Sequence, residues 1–267
     1  MTEKKNVVVV MPAYNAAETL EETYRSIPAD CVDQVILVDD GSIDNTAVIA
    51  QELDLDLIIH PHNAGYGANQ KTCYMEALRL NADIVIMLHP DGQYDPKIIP
   101  DMIAAIREGK GEFVLGSRFL PPRGALAGGM PRYKYLANRF LTGAENLVMG
   151  TKLSECHTGY RAYSRHLLET VPFLRNSNDF AFDTEMIFQA KHFGFRFAEV
   201  PVSTKYFNEA SSISFTASTI YGLKTLWVAW RYLLHRLKIW QFDLFKPTHR
   251  GKAELHKPLS VNLKNDA

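Results

Sequence analysis

Cysteine is scarce in this chain: Cys31, Cys73 and Cys156 are the only three in 267 residues, and no CxxC spacing occurs. That excludes a disulfide scaffold or a zinc ribbon and suits a reducing compartment. An excess of one charge is also missing. Lys plus Arg number 29 against 30 for Asp plus Glu, a formal net charge of -1. The basic surplus used for binding through phosphate neutralisation is therefore absent, and nucleic acid is not an expected partner. No apolar run reaches the ~18 residues of a membrane-spanning helix. Lys4 and Lys5 lead only into a short apolar run ending at Pro12, too short for a signal peptide. Walker A, GxSxG and HExxH signatures do not occur. What is present, 46% hydrophobic and 22% charged residues, can fill the core of one large domain or two small ones. The expectation is a soluble or peripheral cytoplasmic protein.

The first 120 residues alternate regularly. Apolar runs at Asn6 to Met11, Gln34 to Val38, Leu55 to Ile59, Ile84 to Leu88 and Phe113 to Leu115 have the length and Val/Ile/Leu content of buried strands. Helix-length segments separate them: Glu18 to Ile27, Thr46 to Leu53, Ala68 to Leu80 and Pro96 to Glu108. The last starts with Asp95 as cap and Pro96 in the first turn. This order predicts an α/β fold with parallel strands, right-handed crossovers and helices on both faces. Beyond Pro121 a helix is expected from about Arg132 to Met149, a composite region at Cys156 to Lys205, and a final strand at Arg196 to Val200. Adjacent Cys156 and His157 read as a buried thiol beside a structural imidazole rather than a nucleophile pair.

In parallel sheets of this kind, ligands sit beyond the carboxyl ends of the strands. There this sequence places Pro12-Ala13-Tyr14-Asn15, Asp39-Asp40-Gly41-Ser42, His62-Asn63-Ala64-Gly65, His89-Pro90-Asp91-Gly92-Gln93 and Gly116-Ser117-Arg118. Asp39 and Asp40 can accept hydrogen bonds from a base edge or ribose hydroxyls. Asp91, with Gln93 as a second oxygen from the same turn, suits a hard divalent cation. Together they describe a nucleoside diphosphate lying across the strand ends, with Arg118 and Arg132 as candidate phosphate partners. Gly65 and Gly67 begin like a dinucleotide fingerprint, but Gln70 stands where the third glycine belongs. As an NAD signature the run is weak; as bare backbone approaching a ligand ahead of a helix it is reasonable.

The segment from Phe215 to Phe245 holds Trp227, Trp230 and Trp240, with Lys224, Arg231, His235 and Lys238 at helical spacing. From residue 215 onward there are nine Lys or Arg (224, 231, 236, 238, 246, 250, 252, 257, 264) and three acids (243, 254, 266). This is the composition of an amphipathic helix in a bilayer interface, although a helix packed on the sheet with a wet polar face is also common. The expected division is 1–214 as the main domain, 215–245 as the amphipathic helix and 246–267 as a polar tail.

Five ordered motifs resemble the family 2 glycosyltransferases of the GT-A (Rossmann-like) fold: Val9 to Asn15, Val38 to Ser42, Asp91 to Pro96, Gly116 to Phe119 and Thr158 to Arg161. Their spacing is most similar to the dolichol-phosphate mannosyltransferase and polyprenyl-phosphate hexosyltransferase branch. The resemblance implies a mostly parallel sheet flanked by helices. It also implies a hexose transfer from a UDP- or GDP-linked sugar to a polyprenyl or dolichyl phosphate, with inversion. Pro12, Ala13, Tyr14, Glu18, Asp39 and Asp40 would line the nucleoside pocket. Asp91 and Gln93 would hold Mg²⁺ or Mn²⁺, and Arg118 and Arg132 would face phosphate. His89 replaces the first acid of the usual Asp-x-Asp; an imidazole can ligate Mn²⁺ but suits Mg²⁺ poorly, and otherwise contacts phosphate. Lys205 alone supplies the charge expected after the last strand. A phosphate acceptor arrives anionic and needs no base. A hydroxyl acceptor needs one, and Asp183 or Glu185, read as preceding an apolar helix, is then the candidate. A non-catalytic sugar-nucleotide binder is the alternative from another class; a nucleotidyltransferase and an oxidoreductase lack their loops. Neither base, sugar nor oligomeric state is legible.

Overall fold

Val7, Val8, Val9, Val10 and Met11 are wholly buried, which a strand achieves only at the centre of a sheet covered on both faces. The computed structural model, which describes residues 5–120, 124–204 and 215–247, places them in β1 (Val7–Ala13) between β2 (Gln34–Asp39) and β4 (Ile84–Met87). Alternate side chains enter two cores. Val8, Val10, Ile36, Val38, Val85 and Met87 face one side; Val7, Val9, Met11, Leu37, Ile84 and Ile86 face the other.

On the first face lie α3 (Tyr66–Arg79), α7 (Arg165–Thr170), α8 (Ala181–His192) and part of α9 (Phe215–Arg236). On the second lie α1 (Leu20–Arg25), α2 (Thr46–Glu52) and α4 (Ile99–Arg107). The remaining elements are β3 (Asp56–Ile59), β5 (Phe113–Ser117), α5 (Gly124–Ala127), α6 (Arg132–Met149), β6 (Arg161–Ser164) and β7 (Phe197–Pro201). Asp95 caps the turn that opens at Pro96, its Oδ1 accepting from Lys97 N–H at 3.0 Å.

The seven strands run in the order β3-β2-β1-β4-β6-β5-β7. All are parallel except β6, which is antiparallel to both β4 and β5. The expected strands are all present, and β6 is an addition. Its reversal decides where Thr158-Gly159-Tyr160-Arg161 lies. Because β6 starts at the edge where its neighbours finish, this motif joins the carboxyl-end loops.

Three placements differ from expectation. Asp183 and Glu185 do not precede α8 but lie within its first two turns, buried. Lys238 lies beyond the end of α9 with φ 59, so it does not continue a helical stripe. Lys205, residues 121–123 and residues 248–267 of the polar tail lie outside the described residues.

Candidate active site

The carboxyl ends of β1, β2 and β4 converge on one edge. Pro12 and Ala13 are buried at the end of β1, whereas Tyr14 and Glu18 beyond them are exposed. The Thr19 hydroxyl donates to Pro90 O at 2.5 Å, linking the β1 loop to the His89–Gln93 turn. Both β2 acids are buried, and both have partners within the protein. The Ser42 amide and hydroxyl donate to the Asp39 carboxylate. Asp40 Oδ1 accepts from His60 Nδ1–H (2.7 Å) and Ala64 N–H (2.9 Å), and its Oδ2 from Gly65 N–H (3.0 Å). Asp40 thus shapes the β3–α3 loop.

Gly65 has φ +102, and a Cβ there would meet Asn178 O at 2.5 Å; at Gly67 it would meet Ser177 O at 2.4 Å. Gly67 N–H donates to Asn178 O at 2.8 Å. The absence of side chains at both positions lets the loop pack closely against the chain's own 177–178 segment.

Asp91 is the acid that fits a cation. Its Oδ1 accepts from the Gln93 backbone N–H at 3.0 Å, and burial pushes its carboxyl above the usual range. A positive charge at this carboxylate would offset that desolvation. Burial pulls the imidazole of His89, two residues earlier, below its ordinary range, against the opposing pull of Asp91 and Asp183. Carboxylate, imidazole and the Gln93 side-chain amide, all within one five-residue turn, would offer mixed oxygen and nitrogen donors. Among the described residues no group of three or more His, Cys, Asp or Glu converges as a ready-made metal cluster. A cation here would therefore draw its other ligands from phosphate and water, as Mg²⁺ commonly does.

Of the three cations expected to meet phosphate, Arg118 is engaged within the protein. Arg118 N–H and Nε–H donate to the Glu155 carboxylate at 2.9 Å each, its Nη2 also pairs with Glu155, and Nη2 donates to His157 O at 3.1 Å. Glu155 is fully buried and also accepts from Asn138 Nδ2 at 3.0 Å. Arg118 is thereby positioned by the 155–157 segment, a partnership that pairwise motif reading misses. Arg132 is exposed at the first turn of α6.

Asp183 belongs to a buried network. Arg161, with no exposure, donates from Nε to Thr158 O (2.7 Å) and from Nη1 to Asp183 O (2.9 Å), and Nη1 lies 3.3 Å from Asp183 Oδ1. Gln70 Nε2 donates to the same Oδ1 at 3.1 Å. Tyr66, whose phenol burial and the Asp183 charge push well above its ordinary range, donates to Oδ2 at 2.8 Å. The Tyr66 ring stacks on His89 with centroids 5.6 Å apart and meets Phe180 at a tilt, with centroids 4.6 Å apart. Glu185 faces elsewhere: its Oε2 accepts from Ser177 N–H (2.6 Å) and Oγ–H (2.9 Å), Oε1 lies 3.5 Å from Arg231, and burial raises its carboxyl. The sequence signal for Tyr66 is a phenol between two glycines, whereas Glu155 carries none, because its partner Arg118 lies 37 positions away.

Residues 8–171 match the family described as Glycosyl transferase family 2. The UDP-N-acetylglucosamine--dolichyl-phosphate N-acetylglucosaminyltransferase of Methanococcus voltae is 28% identical over 76% of this chain and 86% of its own length. Glycosyltransferase AglD of Haloferax volcanii is 32% identical over 73% of this chain, which spans only 32% of that protein. Among solved structures, glucosyl-3-phosphoglycerate synthase from Mycobacterium tuberculosis in complex with UDP superposes with TM-score 0.67 at 20% identity, covering 88% of this chain and 80% of that one; this likeness shows the fold. The family match spans more than half of the chain and includes the strand-end loops described above. The chain is a glycosyltransferase and belongs to family 2.

Proposed function

We propose that this protein moves a hexose from a nucleoside diphosphate sugar to a polyprenyl phosphate at a membrane surface. The half-buried Asp91 carboxylate at the shared strand edge carries this reading, because its partly desolvated charge asks for a cation and a cation asks for a diphosphate. Asp91, His89 and Gln93 would hold Mg²⁺ or Mn²⁺. When bound, the metal supplies Lewis-acid neutralisation of the departing diphosphate. Pro12, Ala13, Tyr14, Glu18 and Asp39 would line the nucleoside pocket, and Arg132, Lys205 and the Glu155-anchored Arg118 would meet acceptor phosphate. A phosphate oxygen attacks the anomeric carbon as the bond to the diphosphate breaks, giving inversion and free nucleoside diphosphate. The attacking oxygen is already anionic, so no base is required. That accords with Asp183 and Glu185 being committed to Arg161, Tyr66, Ser177 and Arg231, which weakens the hydroxyl-acceptor alternative. The relative from Methanococcus voltae, named for transfer to dolichyl phosphate, supports the acceptor class.

The test is a panel of UDP and GDP sugars offered with phosphorylated or free isoprenol. The phosphorylated form alone is expected to be glycosylated. Equal use of both would overturn the phosphate-acceptor reading.

The membrane part rests on an apolar surface larger than the one expected. Leu136, Phe140 and Leu147 of α6 are 67%, 69% and 84% exposed, and Leu223 and Trp227 of α9 are 64% and 54% exposed. The two helices pack together, with Arg236 Nη1 donating to Val148 O at 3.0 Å, so their apolar stripes adjoin. Trp227 and Trp230 stack with centroids 4.9 Å apart. The expected basic stripe is different: Lys224 pairs with Asp179, Arg231 with Glu185, and His235 is buried. Its cations serve the protein more than a bilayer. No helix among the described residues is long and apolar enough to cross a membrane, so we propose residues 215–245 as a peripheral anchor beside a 1–214 catalytic domain. Vesicle sedimentation checks this. Trp227→Ala is expected to lower partitioning about tenfold, since an inserted aromatic contributes roughly 1.5–3 kcal/mol, with only weak salt dependence. Unchanged partitioning would remove this surface from the membrane contact.

A further inference from the structure

We propose that Tyr66, backed by Asp183, is a positioning residue that holds His89 as its Nε2–H tautomer and leaves Nδ1 as an electron-pair donor toward the cation. The proposal rests on Asp91 holding that cation, as set out above, and concerns what His89 adds to it.

Arg161 is fully buried, and Asp183 is the carboxylate that lies against it, at 3.3 Å. A buried guanidinium stays charged and requires an ionised partner, so Asp183 can only accept. The Tyr66 O–H must then be the donor in its 2.8 Å contact with Asp183 Oδ2. A phenol has one proton, and Tyr66 has spent it. Its contact with His89 Nε2 at 3.3 Å is favourable only if Nε2 carries the proton and the phenol oxygen accepts. Nδ1, on the opposite flank of the ring, then keeps its in-plane electron pair.

The ring has little freedom to choose otherwise. Tyr66 stacks on it at an interplanar angle of 13°. On another side is Gly159, where a Cβ would come within 2.9 Å of His89 Cδ2 and Nε2. The lack of a side chain at the start of β6 therefore gives the imidazole its seat. Metal-bound histidines commonly donate their second ring N–H to a carboxylate or another acceptor, which fixes the tautomer and raises ligand basicity. Here the phenol of Tyr66 is that acceptor, and the carboxylate stands one step behind it. An imidazole nitrogen beside one carboxylate favours Mn²⁺, which accepts a nitrogen ligand more readily, over Mg²⁺, which prefers all-oxygen sets.

The test uses the full chain labelled with ¹⁵N, without metal or nucleotide, at pH 8, where imidazoles are neutral. Long-range ¹H–¹⁵N correlation reports which ring nitrogen carries the proton, and His89→Gln assigns the His89 signals. The expected wild-type spectrum has His89 protonated at Nε2, and Tyr66→Phe, which keeps the ring but removes the acceptor, shifts the population toward Nδ1–H. A wild-type His89 protonated at Nδ1, or a Tyr66→Phe spectrum identical to wild type, overturns the proposal. A second measurement titrates Mn²⁺ and Mg²⁺ in the presence of UDP. Tyr66→Phe should weaken Mn²⁺ binding about tenfold, and His89→Asp should move the Mn²⁺-to-Mg²⁺ affinity ratio about tenfold toward Mg²⁺. An unchanged ratio in His89→Asp would remove His89 from the ligand set. Absence of any metal-assisted UDP binding would instead overturn the donor reading itself, a result distinct from a wrong tautomer in the metal-free spectrum.

Discussion

Asp91→Asn is expected to lower kcat/KM by about a thousandfold while the protein keeps its thermal midpoint or gains on it. The first half follows from the Lewis-acid role: loss of roughly 4 kcal/mol of transition-state stabilisation is a factor of ~10³ in rate. The second half follows from the local electrostatics. Burial raises the Asp91 carboxyl, so the metal-free fold tolerates its negative charge at a cost, which a neutral isostere removes. Asn keeps an oxygen able to accept from Gln93 N–H in the 3.0 Å bond now made to Oδ1. Transfer assays with each metal and a calorimetric melt of the same preparation check both halves. Near-wild-type activity would take Asp91 out of the site, and a collapsed midpoint would make its role architectural.

Asp183→Asn is expected to fail in the opposite way. Arg161 sits in the interior with Asp183 Oδ1 at 3.3 Å, and removal of one partner from a buried pair typically costs about 3–5 kcal/mol because the other charge is left uncompensated. Of Asp183's ligands, Gln70 Nε2–H and Arg161 Nη1 converge on Oδ1 and Tyr66 O–H on Oδ2, so an amide nitrogen at either position would face a donor. A urea titration should therefore show a much lower midpoint with an unchanged slope. The general-base alternative gives the converse result, an unaltered midpoint with transfer slowed. The two residues thus separate the chemistry of the edge from the scaffold beneath it by independent measurements.

Much of this was legible in one sequence because the relevant signals are local. Runs such as Val7–Met11 and Ile84–Leu88 announce buried strands through their own composition, and the carboxyl-end rule converts them into a position for Asp39, Asp40 and Asp91. β6 was not legible. It is four residues long, Arg-Ala-Tyr-Ser, and opens on a charge, so it carries no apolar run. Its arginine is buried only because the strand is flanked on both sides and Asp183 arrives from a helix 22 positions later. The missed partnerships share that origin. Glu155 on Arg118 and Asp183 on Arg161 depend on which segments the reversed strand brings to the edge, and Tyr66 on His89 on two loops 23 positions apart. The polar face of α9 misled for a related reason. Its spacing is helical as expected, but Asp179 and Glu185, which neutralise Lys224 and Arg231, come from a segment whose packing no periodicity reveals.

The reversed strand also has a consequence for how the chain is made. Among the described residues β5 has hydrogen-bonded neighbours only in β6 and β7, both of which follow it. A nascent chain emerging N-terminus first can assemble β3-β2-β1-β4 through short crossovers, yet β5 must wait, unpaired and apolar, for some fifty further residues until Arg161–Ser164 leaves the ribosome. The second half of the sheet is therefore expected to close only after β6 and β7 have been made, and truncation between Phe113 and Arg161 is expected to leave an unpaired apolar strand prone to aggregation.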